Sequence, residues 1–358
     1  MSRVLITGIR APAALDLARV FRGQGHEVFG CDVFRTSLFG ESLTYRSPRL
    51  DPDGFQADAK QIVGQVRPDL IIPLCEEIYY WAQLRQYPLF APDLDTLMRL
   101  HSKYEFAQFA SSLHLSVPLT ERTMNWAPEC VFKPEFSRFG TQLRIRPTQG
   151  PKVNDLMNPW IRQAYVAGED LCFYAIAHEG KLRAFSAYHS AWRTKGGASY
   201  YFEPIEPELT DRMMAIATKL GTALDLTGQI ACDLRLDQAG KLWLLECNPR
   251  ATSGLHLLVD DPAALVSAFL GEAGDLVTSG GQPACLGLAM ALYGWPDALR
   301  KGRLDAWSHD MAIARNVLKD RTLPALADSL NFSLKAVMRS QGLAEFLTSD
   351  IECNGRLT

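Results

Sequence analysis

Leu242-Trp243-Leu244-Leu245-Glu246-Cys247-Asn248-Pro249-Arg250 decides the reading of this chain. An apolar strand has no packing reason to end on a carboxylate and a carboxamide two residues apart. Side chains alternate faces along a strand, so Glu246 and Asn248 point the same way. The preceding run, Gln229-Ile230-Ala231-Cys232-Asp233-Leu234-Arg235-Leu236, reads as a strand joined to it through the hairpin connection Asp237-Gln238-Ala239-Gly240. Pairing Leu236 with Lys241 sets Asp233 opposite Leu244, on the face of Glu246 and as its diagonal neighbour. Two carboxylates and an amide oxygen are hard donors that suit Mg²⁺, an ion that keeps waters and clamps nucleotide phosphates. Arg250, just beyond, offers a planar cation to an anionic substrate or intermediate. A hairpin with acids facing water explains one acid at a strand end, but not this trio followed by Pro249-Arg250.

The rest of the composition is that of an ordinary globular chain. Its 358 residues leave room for two or three packed units, with 47% apolar and 22% charged residues. A net charge of -3 and the lack of a Lys/Arg run argue against a nucleic-acid surface. The eight cysteines form no CxxC or Cys/His cluster, so reduced, buried thiols are expected in a cytoplasmic protein. No signal peptide is visible, and the apolar stretch Cys285 to Trp295 is too short and Gly-broken to cross a bilayer.

Arg3-Val4-Leu5-Ile6-Thr7-Gly8 reads as a buried parallel strand entering a tight turn, followed by helical spacing over Ala13 to Arg22. Gly25 to Asp32 gives a second strand ending in an acid, the βαβ start of a doubly wound sheet. The dinucleotide fingerprint fails here: Arg10 and Ala13 stand where glycines are needed, and Arg10 would block a pyrophosphate. Pro68 to Glu77 is another strand running into paired acids. Glu76 and Glu77 read either as facing a ligand or as capping the next helix.

In the middle of the chain, His101-Ser102-Lys103-Tyr104 opens an amphipathic helix, and a lysine at a helix start wants an anion nearby. Val131-Phe132-Lys133-Pro134 is a strand carrying a second lysine. Its loop, Glu135 to Gln142, has donors suited to covering phosphates. Ile161 to Val166 reads as a strand, Gly168-Glu169-Asp170 as a turn, and Leu171–Ala177 with Leu182–His189 as a strand pair. Arg193 and Lys195 mark a cationic loop, read as binding a carboxylate or as a basic hairpin tip in water. His256 reads as touching the intermediate or as structural. Farther on, Gly280-Gly281-Gln282-Pro283 marks a boundary, Cys285 to Tyr293 is strand-like, and Leu323–Leu330 and Leu334–Gln341 are helical.

From Arg3 to about His256 this order of features resembles the ATP-grasp superfamily, in the branch of carbamoyl-phosphate synthetase large subunits and biotin carboxylase. The resemblance implies an α/β fold of the α+β grasp type. A Rossmann-like pre-ATP-grasp domain would span 1–98 and a two-lobed ATP-grasp domain 99–274. The small lobe would cover about 120–168, the metal-binding large lobe about 169–274, and a C-terminal extension 275–358. It implies that Lys103 and Lys133 contact the phosphates of ATP, with Ser137, Arg138 and Gly140 in a phosphate lid. The hinge Gln163 to Val166, Tyr165 included, would read adenine through its backbone, and Glu169 would bind ribose. Asp233, Glu246 and Asn248 would hold Mg²⁺, with Mn²⁺ as an alternative, and Arg250 would steady an acyl phosphate.

The lid has one glycine where biotin-carboxylase-like members have a run. No second synthetase half, amidotransferase or biotin carrier is visible, which points to a stand-alone enzyme. The expected activity is an ATP-dependent carboxylate–amine ligase, ADP-forming and acting through an acyl phosphate. Its expected partners are small-molecule carboxylate and amine substrates, with no nucleic acid or membrane and with a homo-oligomer allowed. The alternatives are transfer to the thiol of a carrier protein, a non-catalytic nucleotide-binding protein, and an NAD-dependent oxidoreductase, which the missing glycines disfavour.

Overall fold

Val4, Leu5 and Ile6 are fully buried, as a strand covered on both faces requires, and form the centre of β1 (Arg3–Thr7). The computed structural model describes residues 1–137, 142–148, 159–194, 197–340 and 342–357. After β1 come α1 (Ala13–Gly23), β2 (Glu27–Asp32), β3 (Leu43–Thr44), α2 (Pro52–Val66), β4 (Leu70–Pro73) and α3 (Ile78–Trp81). The four strands make a parallel sheet in the order β3-β2-β1-β4. Gly8 turns the chain out of β1 with φ +67, and a Cβ there would lie 2.6 Å from Glu77 Oε1, so only glycine fits.

Arg10 fills the turn where a dinucleotide's pyrophosphate would need bare backbone. Its backbone N–H and its guanidinium both bind the Asp32 carboxylate, and its Nη2 lies 2.7 Å from Asp350 Oδ2. The oxidoreductase alternative therefore has no room at this turn.

The helices α4 (Leu94–His101) and α5 (Lys103–Ser112) lead into a second, antiparallel sheet. Its strands are β5 (Thr120–Arg122), β6 (Cys130–Pro134), β7 (Arg144–Ile145) and β8 (Trp160–Ala164), in the order β5-β8-β6-β7. The third sheet has eight strands. It is built on β9 (Glu169–His178), β10 (Lys181–His189) and β11 (Tyr201–Pro204); then, after α6 (Pro207–Ala223), come β12 (Gly228–Leu236) and β13 (Leu242–Asn248). The strand pair expected around His178 to Lys181 is thus present. Glu169, expected in a turn, is the first residue of β9.

One face of this third sheet packs on α5 and α6 through Phe106, Phe173, Met213 and Leu234. The other meets the first sheet: Tyr174 and Ile176 share a core with Leu17 and Phe21 of α1 and with Leu265 and Phe269 of α7 (Pro262–Leu270).

Beyond α7 the sheet gains β14 (Val277–Thr278), β15 (Ala284–Cys285) and, after α8 (Gly287–Ala289), α9 (Trp295–Lys301) and α10 (Leu304–Ile313), also β16 (Arg315–Asn316). The strand-like reading of Cys285 to Tyr293 fails after Cys285, because residues 287–301 are helical. Ala, Leu and Met dominate that run, and apolar content alone does not separate a short strand from a helix. The two helical stretches expected after Leu323 are one helix, α11 (Thr322–Met338), followed by α12 (Leu343–Phe346).

The last residues then return to the first sheet. Tyr80 Oη donates to the Glu352 carbonyl at 2.7 Å, and Cys353 N–H donates to Glu76 Oε2 at 3.1 Å. All eight cysteines are free thiols, six of them buried. No helix among the described residues is long and apolar enough to cross a membrane.

Candidate active site

The hairpin β12–β13 opens through Asp237 to Lys241, where Gly240 adopts φ +76 and Leu236 pairs with Leu242. A straight ladder from that pair would set Asp233 opposite Leu245. Glu246 would then face Cys232 in the core, because cross-strand partners share a face. One extra residue prevents this. The register shifts between Leu234↔Leu244 and Asp233↔Glu246, leaving Leu245 as a bulge. The shift keeps Leu242, Leu244 and Cys247 in the core and turns Asp233, Glu246 and Asn248 to the opposite face. The sequence expectation is therefore corrected in register: Asp233 lies directly opposite Glu246, not diagonal to it, and Leu244 faces away from both. The shared face survives because of the bulge.

The bulge is braced from the second sheet. Gln163, 2% exposed in β8, donates from Nε2 to the Leu245 carbonyl at 3.3 Å and to Thr120 Oγ1 at 3.1 Å.

Two lysines converge on the same face. Lys133 Nζ lies 3.3 Å and Lys103 Nζ 3.7 Å from Glu246 Oε2. Both side chains are buried, with residue exposures of 7% and 4%. Lys103 stands at the helix start for a local reason. Ser102 caps α5 by accepting from Glu105 N–H at 3.0 Å, and its hydroxyl also donates to the buried Glu135. Arg122 grips Glu135 with two hydrogen bonds of 2.7 and 2.6 Å. Lys103 Nζ in turn donates to the Ser137 carbonyl at 2.9 Å, tying the described end of the lid to α5. Arg138 and Gly140 lie outside the described residues.

The electrostatics separate the two carboxyls. Burial and the facing Glu246 push Asp233 up to about 6. Burial works the same way on Glu246, but the ammonium groups of Lys103 and Lys133 override it and hold that carboxyl low, at about 2. Burial and the Asp233 carboxylate also push up the Cys172 thiol, which donates to Asp233 Oδ1 at 3.0 Å. Asn248 Oδ1 accepts from Arg250 Nη2 at 3.2 Å. Burial opposes the charge on Arg250, but Glu76 and the other anionic groups around it, Asp233 among them, together outweigh it, so the guanidinium stays charged.

The remaining candidate residues fall around this centre. Tyr165 N–H donates to the Glu129 carbonyl, and the Val166 carbonyl accepts from Arg235 at 3.0 Å, so part of the hinge backbone is engaged. Glu169 Oε1 lies 3.0 Å from His189 Nδ1, whose Nε2 is 3.0 Å from Glu203. Arg193 donates to Asp170 Oδ2 at 2.9 Å, and the other oxygen of Asp170 binds Arg235 at 2.7 Å. Lys195 lies outside the described residues. Glu77 is fully buried and accepts from Thr7, Leu74 and Cys75, which makes it a brace of the sheet end and not a ligand group.

Sequence reasoning missed Cys172, Glu135 and Arg122. Ser102 and Glu105 stand at the spacing of a capping box, but nothing local marks Glu135 as the acid that fixes Ser102.

A cavity of about 280 Å³ opens beside Arg250. It lies at the carboxyl ends of β1 and β4, where open α/β sheets bind ligands. Arg10, Glu76, His256 and the tail residues Leu347 and Ile351 line it. His256 stacks on Phe202 and is held by Asp16, with Nδ1 2.8 Å from Oδ2.

Comparison with known proteins agrees with this layout. Residues 100–254 match the ATP-grasp domain family. No curated protein sequence matches the chain. Among solved structures, N5-carboxyaminoimidazole synthetase from Staphylococcus aureus superposes with a TM-score of 0.66 at 13% identity, covering 82% of this chain and 85% of that one. Phosphoribosylamine–glycine ligase from Thermotoga maritima gives 0.61 at 16%, covering 78% of each chain. The biotin carboxylase domain dimer of Hydrogenobacter thermophilus 2-oxoglutarate carboxylase, in complex with MgADP, ADP and bicarbonate, gives 0.60 at 11%, covering 78% of this chain and 72% of that one.

Proposed function

The chain carries an ATP-grasp domain over residues 100–254, and from that premise we propose an ATP-dependent, ADP-forming carboxylate–amine ligase. The observation that carries the reading is the convergence of Lys103 and Lys133 on Glu246, within one face that also bears Asp233 and Asn248. The donor set fits Mg²⁺, since two carboxylates and an amide oxygen are hard ligands that leave positions for water and phosphate. When bound, the ion neutralises phosphate charge and orients the γ-phosphate. The crystallised relative with MgADP supports the same pairing of nucleotide and metal.

In this reading Lys103 and Lys133 bind the phosphates, and Ser137, with Arg138 and Gly140, covers them. The backbone of Gln163 to Val166 meets adenine, and Glu169 meets ribose. An oxygen of the substrate carboxylate attacks the γ-phosphorus and ADP leaves. The amine nitrogen then attacks the acyl carbonyl, phosphate departs, and the nitrogen's proton goes to His256 Nε2. Asp16 holds the opposite ring nitrogen, which fixes the tautomer for that transfer. Arg250 faces the anion formed between the two steps, and Arg193 and Lys195 bind the substrate carboxylate.

A homo-oligomer belongs to the same reading. α11 leaves Leu330, Leu334 and Val337 exposed at 64, 63 and 73%, a stripe of the kind that marks association. Incubation with ATP, Mg²⁺, hydroxylamine and a panel of carboxylic acids tests the activity. ADP and a hydroxamate are expected together. NADH oxidation without either product, or ADP release that needs a carrier protein before acyl transfer, would overturn the reading.

A further inference from the structure

Building on the ligase reading, we propose that the cavity beside Arg250 is the acid site and that it takes a compact, unphosphorylated, largely apolar carboxylic acid. Its volume of about 280 Å³ stands just below the range of small-molecule sites, roughly 300–1,000 Å³. Apolar groups reach it from every side: Ala13 from α1, Leu74 from the end of β4, Leu286 after β15, and Leu347 and Ile351 from the tail. The cavity meets the nucleotide face at a single cation. Arg250 lines it and donates to Asn248 Oδ1 at 3.2 Å, so a carboxylate on Arg250 sits next to the proposed metal ligands.

The cavity's second guanidinium carries no spare positive charge. Arg10 lines the cavity, but its guanidinium is taken by Asp32, by Asp350 and by the Leu347 carbonyl at 2.7 Å. Among the described residues no carboxylate lies within 4 Å of Arg250, whereas Arg10 has two. A phosphate or a second carboxylate beside Arg10 would therefore meet a neutralised cation backed by Asp32 and Asp350. Anion recognition needs charged donors free to fork onto the oxygens.

The test uses the hydroxylamine assay on the full-length enzyme with three acid classes: short branched or alicyclic monocarboxylates, dicarboxylates, and phosphorylated acids. The monocarboxylates are expected to give hydroxamate at a kcat/KM at least about tenfold above the other two. Leu347→Ala enlarges the cavity and is expected to shift preference about tenfold towards acids longer by one or two methylenes. Leu347→Trp fills it and is expected to raise KM for the acid about tenfold or more while KM for ATP stays within about twofold.

Hydroxamate from phosphorylated or dicarboxylic acids alone, or unchanged selectivity in both variants, would overturn the cavity assignment and leave the ligase reading standing. No hydroxamate from any acid would sink the ligase reading instead. Thermal stabilisation by the same monocarboxylates, lost in Leu347→Trp, would then support the cavity alone, and its absence would overturn that too.

Discussion

Glu246 shows how much of this site rests on single groups. Its carboxylate takes both lysines and faces a second acid across the ladder, so its charge organises three side chains. Glu246→Gln keeps the shape and removes the charge. We expect ATP turnover to fall at least about a hundredfold, with a melting temperature moved by no more than about 4 °C. Near-native ADP release by that variant would contradict the assignment.

Asp16 tests the residues behind the cavity. Burial alone would raise its carboxyl, but hydrogen bonds from His256 and from both Arg315 nitrogens, at 3.0 and 2.8 Å, hold it well below the usual carboxylate range. A group depressed in the folded state stabilises above its unfolded value of about 3.9 and loses that contribution as pH falls. Asp16→Asn is expected to cost about 3–5 kcal/mol at neutral pH, as a buried partner left alone does. It should also flatten the fall of stability below about pH 4. Denaturant unfolding between acid and neutral pH would show both effects, and an unchanged acid limb would rule out this role.

At the scale of elements, the hairpin is where the sequence was both most and least legible. The trio Asp233, Glu246 and Asn248 stood out because acids and amides at strand ends serve no packing. The residue that brings them together did not stand out. Leu245 is one apolar residue among four, and a bulge has no signature when either register buries leucines. The same blindness turned residues 287–293 into a strand, while β9 and β10 were legible because their turn carries Glu179-Gly180 at positive φ. Gln163 was read through its backbone, yet its side chain braces the bulge. Gln163→Leu leaves the Leu245 carbonyl and the Thr120 hydroxyl unbridged and is expected to cost about 1–3 kcal/mol. Denaturant unfolding together with KM for ATP reads it. Wild-type stability and KM would mean that the bulge holds itself.

Across the whole molecule, the tail closes the cavity that the first sheet opens. Phe34 stacks on Phe346 with ring centroids 5.2 Å apart, and Arg10 joins Asp32 to Asp350 at side-chain exposures of 7, 0 and 6%. No local pattern reveals such a clasp, because its tail members lie more than 300 residues from Arg10 and Phe34. Arg10→Ala strands two carboxylates and is expected to destabilise by about 3–5 kcal/mol. Asp350→Asn in the same background should recover part of that loss. Strict additivity in the double-mutant cycle would contradict the clasp.

The metal site can be seen in an anomalous difference map, at the manganese edge, from crystals grown with ADP and Mn²⁺. A peak is expected within about 2–2.5 Å of oxygens from Asp233, Glu246 and Asn248, against the nucleotide phosphates. A nucleotide bound elsewhere, or a metal peak that none of the three side chains touches, would contradict this assignment.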